Sequence, residues 1–306
     1  MTTCLTVRAS RRLNSVVPQP RFGASIGKNG VNLGDKTVLL GNACYSSGRT
    51  MGFVAAGDTC ISTAVGGSGN FAGGYSCSFV GGSPVGNAVF GHGCNIQGAV
   101  GSIVGGYASY SVHNYTTVFG ISCFPGGQYQ WIIGNGATAS QMNALSLGVA
   151  TYPTRYGEQG WSSGRHTSNG DVMSSLLTVS GTTTSATPTE LFIGGVASNR
   201  IVLTAGSSLI VDVRAVARTT GAINKTAVFR RSLQIDRPTN AASTTLVGSV
   251  QTLLTDTGSN AGTPPAGWAL TLSADTTNGS LKVEATGDTD TILWSIEITF
   301  QQAVRA

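Results

Sequence analysis

Apolar residues recur through the first half of the chain as pairs closed by a glycine. The pairs are Leu39-Leu40-Gly41, Ala55-Ala56-Gly57, Ala64-Val65-Gly66, Phe79-Val80-Gly81, Val89-Phe90-Gly91, Ile103-Val104-Gly105, Val118-Phe119-Gly120 and Ile132-Ile133-Gly134, with Ser146-Leu147-Gly148 as a weaker closing copy. From Gly91 to Gly148 the spacing is 14, 15, 14 and 14 residues, whereas the steps from 57 to 66 and from 81 to 91 are only 9 and 10. A period this short predicts stacked coils of β-structure. The third residue after a closing glycine is small in Cys44, Cys60, Cys94, Ala108, Cys123 and Ala137, as the lining of a narrow coil requires. Gly48, Gly98 and Gly127 divide three of the units into halves, each with room for one short strand and one tight turn.

Neighbouring strand residues point to opposite faces, so one member of each pair fills the coil and the other faces outward. Val104, Phe119, Ile132 and Ile133 are therefore expected to form the coil core and the contact between chains. An outward stripe of this kind needs cover, and identical copies around a rotation axis supply it. A homotrimer suits a thin rod, and eight or nine coils at about 4.8 Å each give a length of roughly 40 Å.

The pattern changes near residue 150. Strict alternation over strand-length runs appears at Ser175–Ser180, Thr189–Ile193, Arg200–Thr204, Leu209–Arg218, Ala227–Ile235, Thr244–Leu254, Trp268–Ser273, Ser280–Ala285 and Thr291–Phe300. Trp294, Ile296, Ile298 and Phe300 share one face, and Asn278-Gly279 marks a hairpin. The expected fold class is all-β: a parallel β-roll with about 14-residue coils, then an antiparallel β-sandwich, jelly-roll-like, in an intertwined or side-by-side homotrimer. The expected domains are an extended basic arm (1–33), the roll as stalk (34–150), a linker (151–172) and the C-terminal sandwich as knob (173–306).

Two resemblances sharpen this. The stretches Val38-Leu-Leu-Gly-Asn-Ala-Cys-Tyr-Ser-Ser-Gly48 and Trp131-Ile-Ile-Gly-Asn-Gly-Ala-Thr-Ala-Ser140 resemble the head repeat of trimeric autotransporter adhesins, over residues 34–148. That resemblance implies a left-handed parallel β-roll trimer. The segments Ser185–Ile193, Val213–Arg218 and Ser273–Val283 are similar to parts of a terminal domain of phage tail-fibre and other virion proteins, over residues 155–300. This likeness implies a virion protein.

Charge and composition fit a fibre. Charged residues are 10% of the chain, and residues 59–154 contain none. Residues 1–49 carry seven basic side chains against one acidic, so the basic character belongs to an arm rather than a groove. Arg8, Arg11, Arg12 and Arg21 are the candidate virion anchor, held extended by Pro18 and Pro20. No aromatics interleave with them to stack bases, so nucleic acid is not an expected partner. No apolar run reaches membrane-spanning length, and residues 1–12 have no signal-peptide core. The six cysteines lack metal-ligand spacing, so neither a metal nor a cofactor is expected.

Catalytic signatures are sparse. His92 and His113 lie in the charge-free stretch without a carboxylate partner, Ser162-Ser163 lacks a nucleophile-elbow frame, and only Glu158 and Asp171 suggest a carboxylate pair. These features lead to the expectation that the chain is not an enzyme. Tyr107, Tyr110, Tyr115, Tyr129 and Trp131 cluster along the later coils, and of these Tyr107, Tyr110 and Trp131 are candidate glycan contacts. Trp161 and Arg165 read equally as junction residues. The resulting expectation is a structural fibre of a bacteriophage virion, assembled in the host cytoplasm. Its arm would dock on other virion proteins, and its knob would meet a host-surface glycan or protein. A capsid-attached head fibre or decoration protein, a glycan-degrading tailspike and a bacterial surface adhesin are the alternatives.

Overall fold

The computed structural model describes residues 5–7, 23–27, 31–32, 36–46, 52–63, 68–82, 84–221, 224–259 and 262–305. Two compact units divide the chain, Met1–Ser146 and Leu147–Ala306. Both are built of strands, and the described residues contain no α-helix.

The first unit is a parallel β-solenoid of about eight turns. Its long strands are Gly23–Ile26, Thr37–Asn42, Val54–Asp58, Phe71–Tyr75, Ala88–His92, Ile103–Tyr107, Thr117–Ile121 and Trp131–Asn135, each paired in parallel with the next. Short strands from Val31–Asn32 to Tyr110–Ser111 form a second parallel ladder, and Phe124–Pro125 pairs with Thr138–Ala139. The solenoid thus reaches upstream of residue 34, into the segment expected to be an arm. Leu5–Val7 pairs with Gly23–Ile26 antiparallel, the one reversal in this unit's described pairings.

The register places residues in columns. Leu39, Ala55, Ala72, Val89, Val104, Val118 and Ile132 lie one above another and are fully buried. Two residues on, Gly41, Gly57, Gly74, Gly91, Gly106, Gly120 and Gly134 form a column with φ between +109° and +157°. A Cβ at any of the first six would collide with the carbonyl oxygen of the next glycine in the column. That close approach is why the repeat demands glycine.

This column corrects the phase expected from sequence. Gly105 is not a closing glycine. It lies one residue earlier, where an added Cβ would meet the rings of Phe90 and Phe119 at 2.5 and 3.0 Å. Phe79-Val80-Gly81 belongs to the short strand Ser78–Val80, and Ala64-Val65-Gly66 lies outside the described residues. An apolar pair can precede glycine on either strand of a coil, so counting every copy made two coils look short. The three turns between Gly41 and Gly91 are instead longer than 14 residues, with column steps of 16, 17 and 17.

The second unit joins two antiparallel groups of strands. In the first, Gln159–Ser162, Val172–Thr183, Ile292–Val304, Ser207–Thr219, Thr226–Arg237 and Thr245–Gly258 pair in that order. In the second, Ser280–Thr286 pairs with Ala269–Asp275 on one side and with Thr189–Ile193 and Ile201–Val202 on the other. Inward residues of both groups enter one buried cluster that holds Trp268, Trp294 and Phe229. Trp294 stacks near Phe229, with centroids 5.7 Å apart, and its Nε1 donates to Thr183 Oγ1 at 2.9 Å. Asp275 shapes the expected hairpin: its carboxylate accepts from the N–H groups of Thr277 and Asn278, and Gly279 supplies φ +68°.

Residues 151–172, expected as a linker, are part of this second unit. Arg155 and Glu158 are buried there and bonded at 3.0 Å. Glu158 also accepts from the backbone of Thr154 and Arg155 and from Ser175 Oγ. Arg155 donates onward to Val202 O and Gln302 Oε1, with its guanidinium 4.7 Å from the Phe300 ring centre.

Candidate functional site

The outward columns of the solenoid are its most distinctive surface. Alternate residues of each long strand face out, and the register aligns Val38, Val54, Phe71, Ala88, Ile103, Thr117 and Trp131 in one column and Leu40, Ala56, Gly73, Phe90, Gly105, Phe119 and Ile133 in another. Thr117 is the one polar member. Leu40, Phe71, Phe90, Ile103, Trp131 and Ile133 are each between 36% and 61% exposed. Side chains of this size leave on the order of 500 Å² of apolar surface wet, at the upper range of what a monomer normally shows.

Past the glycine column the chain turns a corner, where Ala43, Thr59, Ser76, Gly93, Ala108 and Ser122 adopt φ between +50° and +64°. The residue just before each of these points outward. Tyr75, His92 and Tyr107 therefore stack face to face at 4.8 and 4.9 Å, with Asn42 bonded to Asp58 on the same corner. A second stack, Tyr115 on Tyr129 at 5.1 Å, stands on the corner that precedes the long strands.

The expected site residues fall at separate places. Val104 and Ile132 are inside the coil, fully buried. Phe119 and Ile133 are in the outward column, Phe119 half-buried and Ile133 exposed. Tyr107 belongs to the histidine-centred stack, Tyr110 lies on the short strand with its ring 4.5 Å from Phe124, and Trp131 is in the apolar column. The three candidate glycan contacts thus occupy three different columns. Arg8, Arg11, Arg12 and Arg21 lie outside the described residues.

The buried thiols act as donors in a narrow corner. Cys44, Cys60, Cys77 and Cys123 direct Sγ at the carbonyls of Gly57, Gly74, Gly91 and Gly134, at 3.2–3.4 Å. Ser109 occupies the same column and its Oγ donates to Gly120 O at 3.1 Å. Burial disfavours the thiolate, so Cys77, Cys94 and Cys123 are pushed up, and Cys60, beside Cys44, reaches about 12. No cluster of three or more His, Cys, Asp or Glu side chains could hold a metal among the described residues.

Glu158 and Asp171 do not form the suggested carboxylate pair. Glu158 is occupied by Arg155 and Ser175. Asp171 accepts from the backbone N–H groups of His166, Thr167 and Ser168. Its burial opposes ionisation, yet these bonds outweigh that and hold the carboxyl down at about 2. Arg165 donates to Asn169 Oδ1 at 2.7 Å within the same loop.

The geometry defines a class, a parallel β-solenoid followed by antiparallel sheets. No protein-family model matches the chain, and no curated protein does. Among solved structures it is similar to the tailspike protein of Acinetobacter baumannii phage AM24, with 11% identity and a TM-score of 0.27, covering 95% of this chain and 59% of that one. It is also similar to the tailspike protein of Acinetobacter phage vB_ApiP_P1, with 8% identity and a TM-score of 0.24, covering 92% of this chain and 59% of the other. The chain thus spans less than two thirds of either protein, and neither likeness supplies a residue correspondence.

These neighbours correct one expectation. The chain was expected not to be an enzyme, but the solved structures it resembles are tailspike proteins, and that expectation is withdrawn. The physical reason is that glycan cleavage needs two carboxylates brought together by the fold, with no fixed spacing along the chain. Sparse motifs were therefore no ground for exclusion.

Proposed function

We propose that this chain is a self-associating attachment fibre of a phage virion. The observation that carries the reading is the outward apolar face of the solenoid, in which Phe71, Ile103 and Trp131 share one column and Leu40, Phe90 and Ile133 the other, with no charged residue in either column. Other copies of the same chain are its natural cover, because in-register ladders repeat identically in every copy and three such faces can close around one axis. The second unit supports the same idea. Its edge strand Thr245–Gly258 is wet along most of both faces, with Val247, Leu253 and Leu254 between 44% and 51% exposed. A strand of that kind is a pairing liability in a lone chain.

In this reading the solenoid is the trimerising stalk and its coils are left-handed. The second unit is a jelly-roll-like sandwich that meets the host surface. The basic residues Arg8, Arg11, Arg12 and Arg21 dock the fibre on other virion proteins. Three attachment units on one assembly multiply weak contacts into avidity.

Mass measurement by light scattering tests the assembly. The reading expects three times the 31.2 kDa of one chain, and a monodisperse single-chain mass overturns it. Adsorption of the purified protein to host cells, with release of reducing sugar followed in the same tubes, shows whether attachment comes with cleavage. Cryo-electron microscopy of intact particles distinguishes a tail from a capsid position.

A further inference from the structure

The outer face of the second unit's larger sheet carries a groove of about 550 Å³. Its floor is a row that crosses five strands in register: Trp161 opposite Ser174, Ser174 opposite Gln301, Gln301 opposite Ile210, and Ile210 opposite Gln234. Ser208 lines the groove beside them. No ionisable side chain is among the lining residues. Trp161 is 45% exposed and Ile210 58%.

The polar groups of this row are uncommitted. Among the described residues, the side chains of Ser174, Ser208 and Gln301 have no hydrogen-bond partner. Gln234 uses only Nε2, which donates to Asp236 Oδ1 at 3.3 Å. The groove therefore offers the Trp161 indole face, exposed aliphatic side chains in Ile210 and Val172, the amides of Gln234 and Gln301, and the hydroxyls of Ser174 and Ser208, in a volume typical of a ligand site. Asp236, held at its rim, and Asp212, on the same face of the Ser207–Thr219 strand, add negative charge nearby.

We infer that this groove binds a neutral oligosaccharide, with Trp161 stacked against the apolar face of one sugar ring and the Gln301, Gln234, Ser174 and Ser208 side chains bonded to hydroxyls. The chemistry selects the ligand. Amides and hydroxyls match sugar hydroxyls as both donors and acceptors. An indole presents a flat apolar body to the C–H face of a pyranose. An anionic ligand would find no cation here and two carboxylates close by. A peptide strand would need an unpaired sheet edge, whereas four of the five strands under this row, Val172–Thr183, Ile292–Val304, Ser207–Thr219 and Thr226–Arg237, are paired on both sides. The inference rests on the attachment reading for its biological sense, since it names what the second unit grips.

The test is calorimetric titration of the full chain with three probes: cellohexaose, chitohexaose and hexagalacturonic acid. Saturable binding of at least one neutral hexasaccharide is expected, with none of the acidic one. Trp161→Ala should weaken it about tenfold or more and Gln301→Ala about fivefold, while Trp161→Phe keeps most of it. Val196→Ala, at an exposed position in the loop between Thr189–Ile193 and Ile201–Val202, should leave it unchanged. Both groove positions face solvent, and oligomer mass confirms that each variant is assembled. Failure of both neutral probes to bind at millimolar concentration overturns the inference. So does equal binding of hexagalacturonic acid, or wild-type affinity in Trp161→Ala. Host-cell adsorption of the same preparations separates the two readings. Adsorption that survives Trp161→Ala removes the groove and leaves attachment standing, whereas saccharide binding without adsorption does the reverse.

Discussion

Ser109 shows what the cysteine column is for. It stands where Cys44, Cys60, Cys77 and Cys123 stand in other coils, and it makes the same bond to a glycine carbonyl of the next coil. The position selects a small side chain with one donor, which thiol and hydroxyl both satisfy. Glu158 is the opposite case, a residue whose partners are all specific. It is fully buried and receives Arg155, Ser175 and two backbone N–H groups. Glu158→Gln removes the charge that balances buried Arg155. The expected cost is about 3–5 kcal/mol in denaturant unfolding of the second unit. A midpoint equal to wild type would mean that Arg155 finds other compensation.

At the level of elements, the legible parts were those with one signal per strand. Every alternating run expected beyond residue 170 overlaps an observed strand, from Thr189–Ile193, which matches in full, to Ile292–Val304, which runs longer at its end. Alternation is a direct consequence of one wet and one dry face. The solenoid was legible in kind, and in phase at Gly41, Gly57, Gly91, Gly120 and Gly134, but not at Gly81 or Gly105. Both strands of a coil can end in an apolar pair and glycine, and only the stacking of Gly106 on Gly91 and Gly120 shows which copies align. The groove was not legible, because Trp161, Gln301 and Gln234 lie far apart in sequence and meet only through strand pairing. Sequence singled out Trp161 without being able to say what it faces. The register also separates two substitutions that looked equivalent. Val104→Asp puts a charge inside the coil and should abolish folding of the solenoid, whereas Ile133→Asp alters only the outer face and should leave a folded single chain. Circular dichroism with light scattering decides this. Identical behaviour of the two variants would refute the division between inner and outer columns.

The two units of the molecule should fail at opposite ends of the pH scale. In the solenoid, burial raises the thiols, with Cys60 moving from 9.0 to about 12. A raised folded pKa gives stability that is full below 9.0 and is lost as pH rises from there toward 12. In the second unit Asp171 is lowered from 3.8 to about 2. A lowered folded pKa gives stability present above 3.8 and lost as pH falls toward 2. Calorimetric scans should show the solenoid transition moving down above pH 9 and the other moving down below pH 4. Transitions that shift together at both extremes would contradict the assignment.

The reversed pairing of Leu5–Val7, the one such pairing among the described residues of the solenoid, has a consequence for growth. Every coil after the first is a template for an identical neighbour, and an uncovered first coil would recruit strands from other molecules as a seed does. Leu5–Val7 pairs antiparallel with Gly23–Ile26, against the common direction of the other strands of that ladder, and is expected to leave no in-register parallel edge for a second copy. Removing residues 1–22 should convert a finite particle into one that elongates end to end, visible as thioflavin-positive filaments by electron microscopy. A truncated protein that keeps its original size would show that termination is achieved elsewhere.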